Sequence, residues 1–166
     1  LENVHFCDLP FYENGRYRRF EITEEDVQST AAALDRLKPH SIFATGTGSD
    51  PSSVEAICFE VLRRALEKLR NADWRRHCRV WLYAGGDREW DVHAIDMAVP
   101  LSPDELRIKE QAIYQHQTQR GQMPSEGDRR REAWRQEVAM NQKTAETYDR
   151  LGLAEYEAIE AFRRWG

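Results

Sequence analysis

Cysteine is scarce in this chain: Cys7, Cys58 and Cys78 are the only three in 166 residues, widely separated and with no Cys-x-x-Cys pair. That spacing speaks against a disulfide framework and against a zinc centre built on thiolates, and it suits buried free thiols in a reducing cytoplasm. Long apolar runs are missing as well. Nothing approaches the ~20 consecutive apolar residues of a membrane span, and no signal peptide opens the chain, so no membrane role and a cytoplasmic location are expected. There is no excess of positive charge: 24 Lys and Arg stand against 29 Asp and Glu, a formal net charge of −5. A general nucleic-acid or anionic-membrane binder is therefore not expected. No Walker or dinucleotide glycine fingerprint occurs, and His5, His40, His77 and His93 lack partners at metal-ligand spacing. Internal repeats and low-complexity tracts are also absent.

What is present is an ordinary globular composition, 40% apolar, 10% aromatic and 32% charged. Residues 1–166 are enough for one domain with its own core. The chain opens at Leu1 and runs almost at once into a strand-like stretch, so a portion of a longer protein is expected. In residues 1–100, short β-like runs at 3–7, 41–45, 79–83 and, more weakly, 92–98 alternate with amphipathic helices. This alternation predicts an α/β fold with a parallel or mixed sheet. Thr23 with Asp26 forms a capping box, and Val27, Thr30, Ala31, Leu34 and Leu37 follow at helical spacing up to Pro39. Val54, Ile57, Cys58, Val61, Leu62, Ala65, Leu66 and Leu69 form the widest apolar stripe in the chain. A third helix opens at Ser102-Pro103-Asp104-Glu105, with Ser as cap and Pro at the first helical position.

Residues 101–166 read as helical and more polar. After a loop with Gly121, Pro124 and Gly127, a long helix starts near Arg129-Arg130-Arg131 and carries Trp134, Val138, Ala145 and Tyr148 on one side. Gly152 interrupts it, and Leu153, Tyr156, Ile159 and Phe162 predict a last helix.

Residues 46–52, with Gly46 and Gly48, join a buried strand to a helix N-terminus. Ligands in open α/β sheets bind at such carboxyl ends, and glycines beside a helix N-terminus suit an anion. A tight strand-to-helix connection needs the same glycines. His116, near the end of the third helix, suits the helix dipole as well as it suits chemistry. Arg16, Arg18 and Arg19 around Tyr17, and the Arg129 to Arg131 run, have the composition of single-strand binders. The net charge favours solvated surface for both.

Three stretches then stand out together: Asp8-Leu9-Pro10-Phe11-Tyr12-Glu13-Asn14-Gly15, Lys38-Pro39-His40-Ser41-Ile42-Phe43-Ala44, and the Asp50-Pro51 loop. They resemble the PIG-L/LmbE family of zinc-dependent N-deacetylases. Val80-Trp81-Leu82-Tyr83, the segment from Glu89-Trp90 to Pro103, and the tail from Leu151 to Phe162 resemble the subgroup fused behind a glucosamine-6-phosphate deaminase (isomerase) domain. The resemblance implies a Rossmann-like, LmbE-like three-layer sandwich, here partial, with a helical C-terminal extension. It also implies a zinc site from an N-terminal His-Pro-Asp-Asp segment and a later His-x-x-His segment.

This chain contains no His-Pro-Asp-Asp. The subgroup's Asp-Pro-His-x-x-His reads Asp50-Pro51-Ser52-Ser53-Val54-Glu55, which puts Ser52 at the oxyanion position and Glu55 at a metal position. Ser52-x-x-Glu55 also reads as a capping box for the helix that follows. Ala84 and Asp87 replace an expected Arg and Trp. Asp96, Lys109, His116 and Gln119 match positions that lie near the family's site, with Asp96, Lys109 and Gln119 as substrate-binding candidates. The resemblance therefore implies a degenerate, non-catalytic deacetylase-like domain of a glucosamine-6-phosphate deaminase-related protein in amino-sugar metabolism, with no cofactor. The alternative is a zinc-dependent amino-sugar N-deacetylase, an amide hydrolase with Asp50 and Glu55 as ligands, completed by an absent N-terminal half. The partner expected is the remainder of the parent protein, with self-association through an uncovered sheet edge.

Overall fold

Capping chemistry sets the helix boundaries. In the computed structural model, which describes residues 4–14, 21–46, 51–84, 89–115, 129–153 and 155–166, the helices are α1 (Pro10–Asn14), α2 (Glu24–Leu37), α3 (Val54–Lys68), α4 (Pro103–Tyr114) and α5 (Arg129–Arg150). The strands are β1 (Ser41–Thr45), β2 (Arg79–Tyr83), β3 (Met97–Leu101) and β4 (Ala158–Trp165). The Thr23–Asp26 box opens α2 as the sequence predicts, and Lys38 closes it in the left-handed region, its N–H donating to Leu34 O at 2.8 Å. The Ser102–Glu105 box opens α4 in the same way, with Ser102 N–H donating to Glu105 Oε2 at 2.8 Å.

The fold is mixed α/β, and its four-stranded sheet has the order β1-β2-β4-β3. β1 and β2 are parallel, with Ser41 opposite Arg79 and Thr45 opposite Tyr83. β3 and β4 are antiparallel, from Met97 opposite Phe162 to Leu101 opposite Ala158. The chain divides into two compact units, Leu1–Gly86 with Arg164–Gly166, and Asp87–Arg163.

The first unit has its core where α1 and α3 meet: Phe11, Ile57 and Val61 are buried, with Leu9 and Ile22 packed against them. Asp26 ties α1 to the start of α2. Its wholly buried carboxylate accepts from Phe11 N–H at 3.0 Å and from Thr23 N–H and Oγ1, both at 2.7 Å. Burial alone would raise this carboxyl's pKa; the hydrogen bonds from Phe11 and Thr23 outweigh it and hold the pKa below the ordinary value. In the second unit Leu106, Val138 and Ala158 are buried, with Leu101 against them.

Four readings change. Residues 153–162 do not form a last helix: β4 begins at Ala158, and Ala158 and Ile159 are almost fully buried. An inner strand meets neighbours on both sides, and ladder pairing overrides the helix preference of its Ala and Glu residues. Residues 4–7 are not a strand; Val4 and Phe6 are exposed and no described strand lies beside them to complete a ladder. The weak strand at 92–98 is displaced, since Val92–Ala94 make a 3-10 turn and the strand runs Met97–Leu101. The thiols are not all buried: Cys78 is, while Cys7 and Cys58 are exposed. On α3 the buried face is Ala56, Ile57, Phe59, Val61, Ala65 and Leu66, so the broad apolar stripe turns Cys58 outward.

Candidate functional site

The parallel pair β1–β2 fixes where a ligand would sit by the rule for open sheets. At its carboxyl end the ladder continues one step beyond the strands: Gly46 N–H donates to Tyr83 O at 2.7 Å, and Gly46 is buried. Residues 47–50, including the candidate ligand Asp50, and residues 85–88, including Asp87, lie outside the described residues. The chain is next described at Pro51, just ahead of α3.

Here the capping assignment shifts by one residue. The N-cap is Ser53, in extended geometry, whose side chain accepts from Ala56 N–H at 3.2 Å. Ser52 does not cap the helix, and Ser52 and Glu55 do not form a capping box. A cap hydroxyl reaches the N–H three residues on, and Ser53 stands in register with the first helical residue, Val54. Ser52 and Glu55 are both exposed. Glu55 is the acidic residue of the first turn of α3, where a carboxylate complements the helix dipole. The Cys58 thiol is pushed above its ordinary pKa, first because its sulfur is partly shielded from water although the residue as a whole is exposed, and then by the Glu55 charge.

The remaining candidates fall elsewhere. His116 and Gln119 lie outside the described residues, as do the Arg16 to Arg19 cluster and the side chains of Arg129 to Arg131 and Trp134. Asp96 is exposed, and its backbone N–H extends the β3–β4 ladder to Phe162 O at 2.9 Å. Lys109 is engaged: its Nζ meets Glu160 Oε1 at 2.5 Å and Asn141 Oδ1 at 2.8 Å. Those contacts join α4, α5 and β4 within the second unit.

Catalytic zinc needs about three protein ligands and an open position. Among the described residues, no three His, Cys, Asp or Glu side chains gather closely enough to hold a metal ion. Of the residues that the sequence resemblance sets at oxyanion and metal positions, the described ones are one hydroxyl, Ser52, and one carboxylate, Glu55. Those two described donors alone fall short of the three that zinc needs.

Two clefts lie away from the strand ends that the sequence singles out. In the first unit, a cleft of about 380 Å³ at the amino end of β2 is lined by Arg70, Arg75, Arg76, Arg79 and Arg164, with Glu67 as the one carboxylate side chain. In the second unit, a cleft of about 390 Å³ is lined by Glu146, Asp149, Glu155 and Glu157, with no cationic side chain. Sequence reasoning missed the arginine cleft. The spacing Arg70, Arg75, Arg76, Arg79 was a visible signal, but Arg164 joins it only through the fold. No described helix is long and apolar enough to cross a membrane.

No family model matches the chain. It is 44% identical over 164 residues, 98% of its length, to a glucosamine-6-phosphate deaminase-like protein of Bacteroides thetaiotaomicron, and it spans 25% of that protein. Among solved structures it is similar to GalB, the 4-carboxy-2-hydroxymuconate hydratase of Pseudomonas putida, with a TM-score of 0.58 at 9% identity, over 89% of this chain and 60% of that one. The likeness to the hydratase is one of fold.

Proposed function

From homology to one quarter of a glucosamine-6-phosphate deaminase-like protein, we propose that the chain is a deacetylase-like domain of PIG-L/LmbE descent that has lost its zinc chemistry. The three-layer, LmbE-like arrangement belongs to this reading, as does a setting in amino-sugar metabolism. One observation carries it: Ser52 and Glu55, at the family's oxyanion and metal positions, are exposed on either side of Ser53, the residue that caps α3. A hydroxyl donates a hydrogen bond to an oxyanion but never becomes a cation, so its help is smaller than that of an imidazolium.

The domain's work in this reading is structural, packing against the remainder of a parent protein in the cytoplasm. β1 is one of the two outer strands in the sheet order, with Phe43 more than half exposed, and an outer strand recruits a partner or a second copy. Light scattering at rising concentration is expected to show self-association of the chain alone; a monomer throughout removes that partner surface. Catalysis is tested by acetate release from N-acetylated amino sugars with zinc supplied. No release above a protein-free blank is expected. Turnover that disappears in Glu55→Ala would establish the alternative, a working deacetylase with Glu55 as ligand.

A further inference from the structure

A chain with five more acidic than basic residues nevertheless gathers five arginines around one small cleft. The helix dipole accounts for Arg70, which follows the C-terminus of α3. It does not account for Arg79 at the start of β2 or for Arg164 near the end of β4.

Four of the five guanidiniums, those of Arg70, Arg75, Arg76 and Arg79, are only weakly engaged in place. Arg70 meets Glu67 at 3.2 Å between two side chains that are mostly exposed, and Arg76 stands 3.8 Å from the almost fully exposed Asp73. Such pairs are weak in water and readily exchanged. Arg75 is held by the backbone, its Nη1 donating to Cys78 O at 3.2 Å, which leaves its other donors available. Arg79 has no side-chain hydrogen bond or ion pair among the described residues. Burial pushes the Cys78 thiol up, against the weaker opposite pull of Arg75, so that thiol adds no negative charge to the cleft.

The shape narrows the ligand further. About 380 Å³ suits one small molecule. Trp165 lines the same cleft and is braced edge-on by Phe59, with ring centroids 5.8 Å apart. A braced aromatic beside several guanidinium forks offers an apolar surface and bidentate anion donors together.

We infer that this cleft binds a phosphorylated sugar, the phosphate held by Arg75 and Arg79 with Arg70 and Arg164 beside them, and the ring against Trp165. The site is independent of the zinc positions and stands whether or not the domain is catalytic.

The test is a calorimetric titration of the chain with glucose 6-phosphate, inorganic phosphate, glucose and a short single-stranded oligonucleotide. Glucose 6-phosphate is expected to bind saturably and more tightly than the other three. Arg79→Gln is expected to weaken it about tenfold, as loss of a charge-assisted contact does. Arg70→Gln should weaken it as well, and Glu67→Gln should tighten it by removing the cleft's carboxylate side chain. Arg63→Gln, an exposed arginine outside the cleft, should leave it unchanged. No saturable binding of either phosphate would overturn the assignment, as would equal weakening by Arg63→Gln. Inorganic phosphate or oligonucleotide binding at least as tightly as the sugar phosphate would overturn it too.

Discussion

In the first unit the Asp26 carboxylate is wholly buried and takes hydrogen bonds from the Phe11 N–H and from both donors of Thr23. In the second, Lys109 and Glu160 meet at 2.5 Å with 24% and 32% of their side chains still exposed. The first anchor lies inside the packing of α1, α2 and α3; the second sits at the margin of a core made by Leu106, Val138 and Ala158. A buried group whose partners are removed loses far more than a half-exposed pair does. The comparison therefore teaches where each unit is vulnerable: the first at one residue, the second, among the described residues, nowhere so sharply.

Substitutions that break this contrast can be ranked. Asp26→Ala should destabilise the first unit by roughly 3 kcal/mol, since it strands the Phe11 N–H and removes half of a capping box. Chemical denaturation, with hydrogen exchange to localise the loss to α1 and α2, measures it. The same carboxyl predicts a pH dependence. Its folded pKa lies below the ordinary value, so its contribution is complete above the unfolded pKa and is lost as pH falls through the folded one. Melting temperatures taken from about pH 6 to pH 3 should fall more steeply for the natural chain than for Asp26→Asn. Parallel curves would mean the carboxylate is not the anchor.

Lys109→Met should cost about 1 kcal/mol, because water partly solvates the Glu160 left behind. Loss of exchange protection confined to α4, α5 and β4 would fit; a loss as large as that of Asp26→Ala would erase the contrast between the units. Ser53→Ala should also cost about 1 kcal/mol, and Ser52→Ala only a few tenths, as expected when one serine caps α3 and its neighbour does not. The smallest effect is a gain. Thr30 Oγ1 is buried without a hydrogen-bond partner among the described residues, so Thr30→Val should be neutral or stabilising by about 0.5 kcal/mol in a thermal melt.

The elements legible in the sequence were those whose ends and faces are both marked. α2 and α4 carry capping boxes, α3 carries a broad apolar face, and β1 and β2 are short β-branched and aromatic runs between helices. Over β4 the sequence points to a helix because Leu153, Tyr156, Ile159 and Phe162 fall three residues apart, a spacing that short apolar segments share with either state. Only its place inside the sheet decides between them. The sequence pattern sets the α3 cap one residue early because Ser52 and Ser53 are equivalent until the first turn is positioned. Of the candidate site, the location of Ser52 and Glu55 around the start of α3 is legible, whereas the Lys109–Glu160 pair is not, because its partners are 51 positions apart. The arginine cleft has the same difficulty, since Arg164 returns to Arg70 and Arg79 only through the course of β4.

The most direct test of the proposal that zinc chemistry has been lost is the metal stoichiometry of the chain. The chain and its Glu55→Ala variant would be dialysed against zinc, freed of excess, and assayed for bound metal by mass spectrometry. The account predicts the same small fraction of zinc in both. One zinc per chain in the natural sequence, lost in the variant, would contradict it.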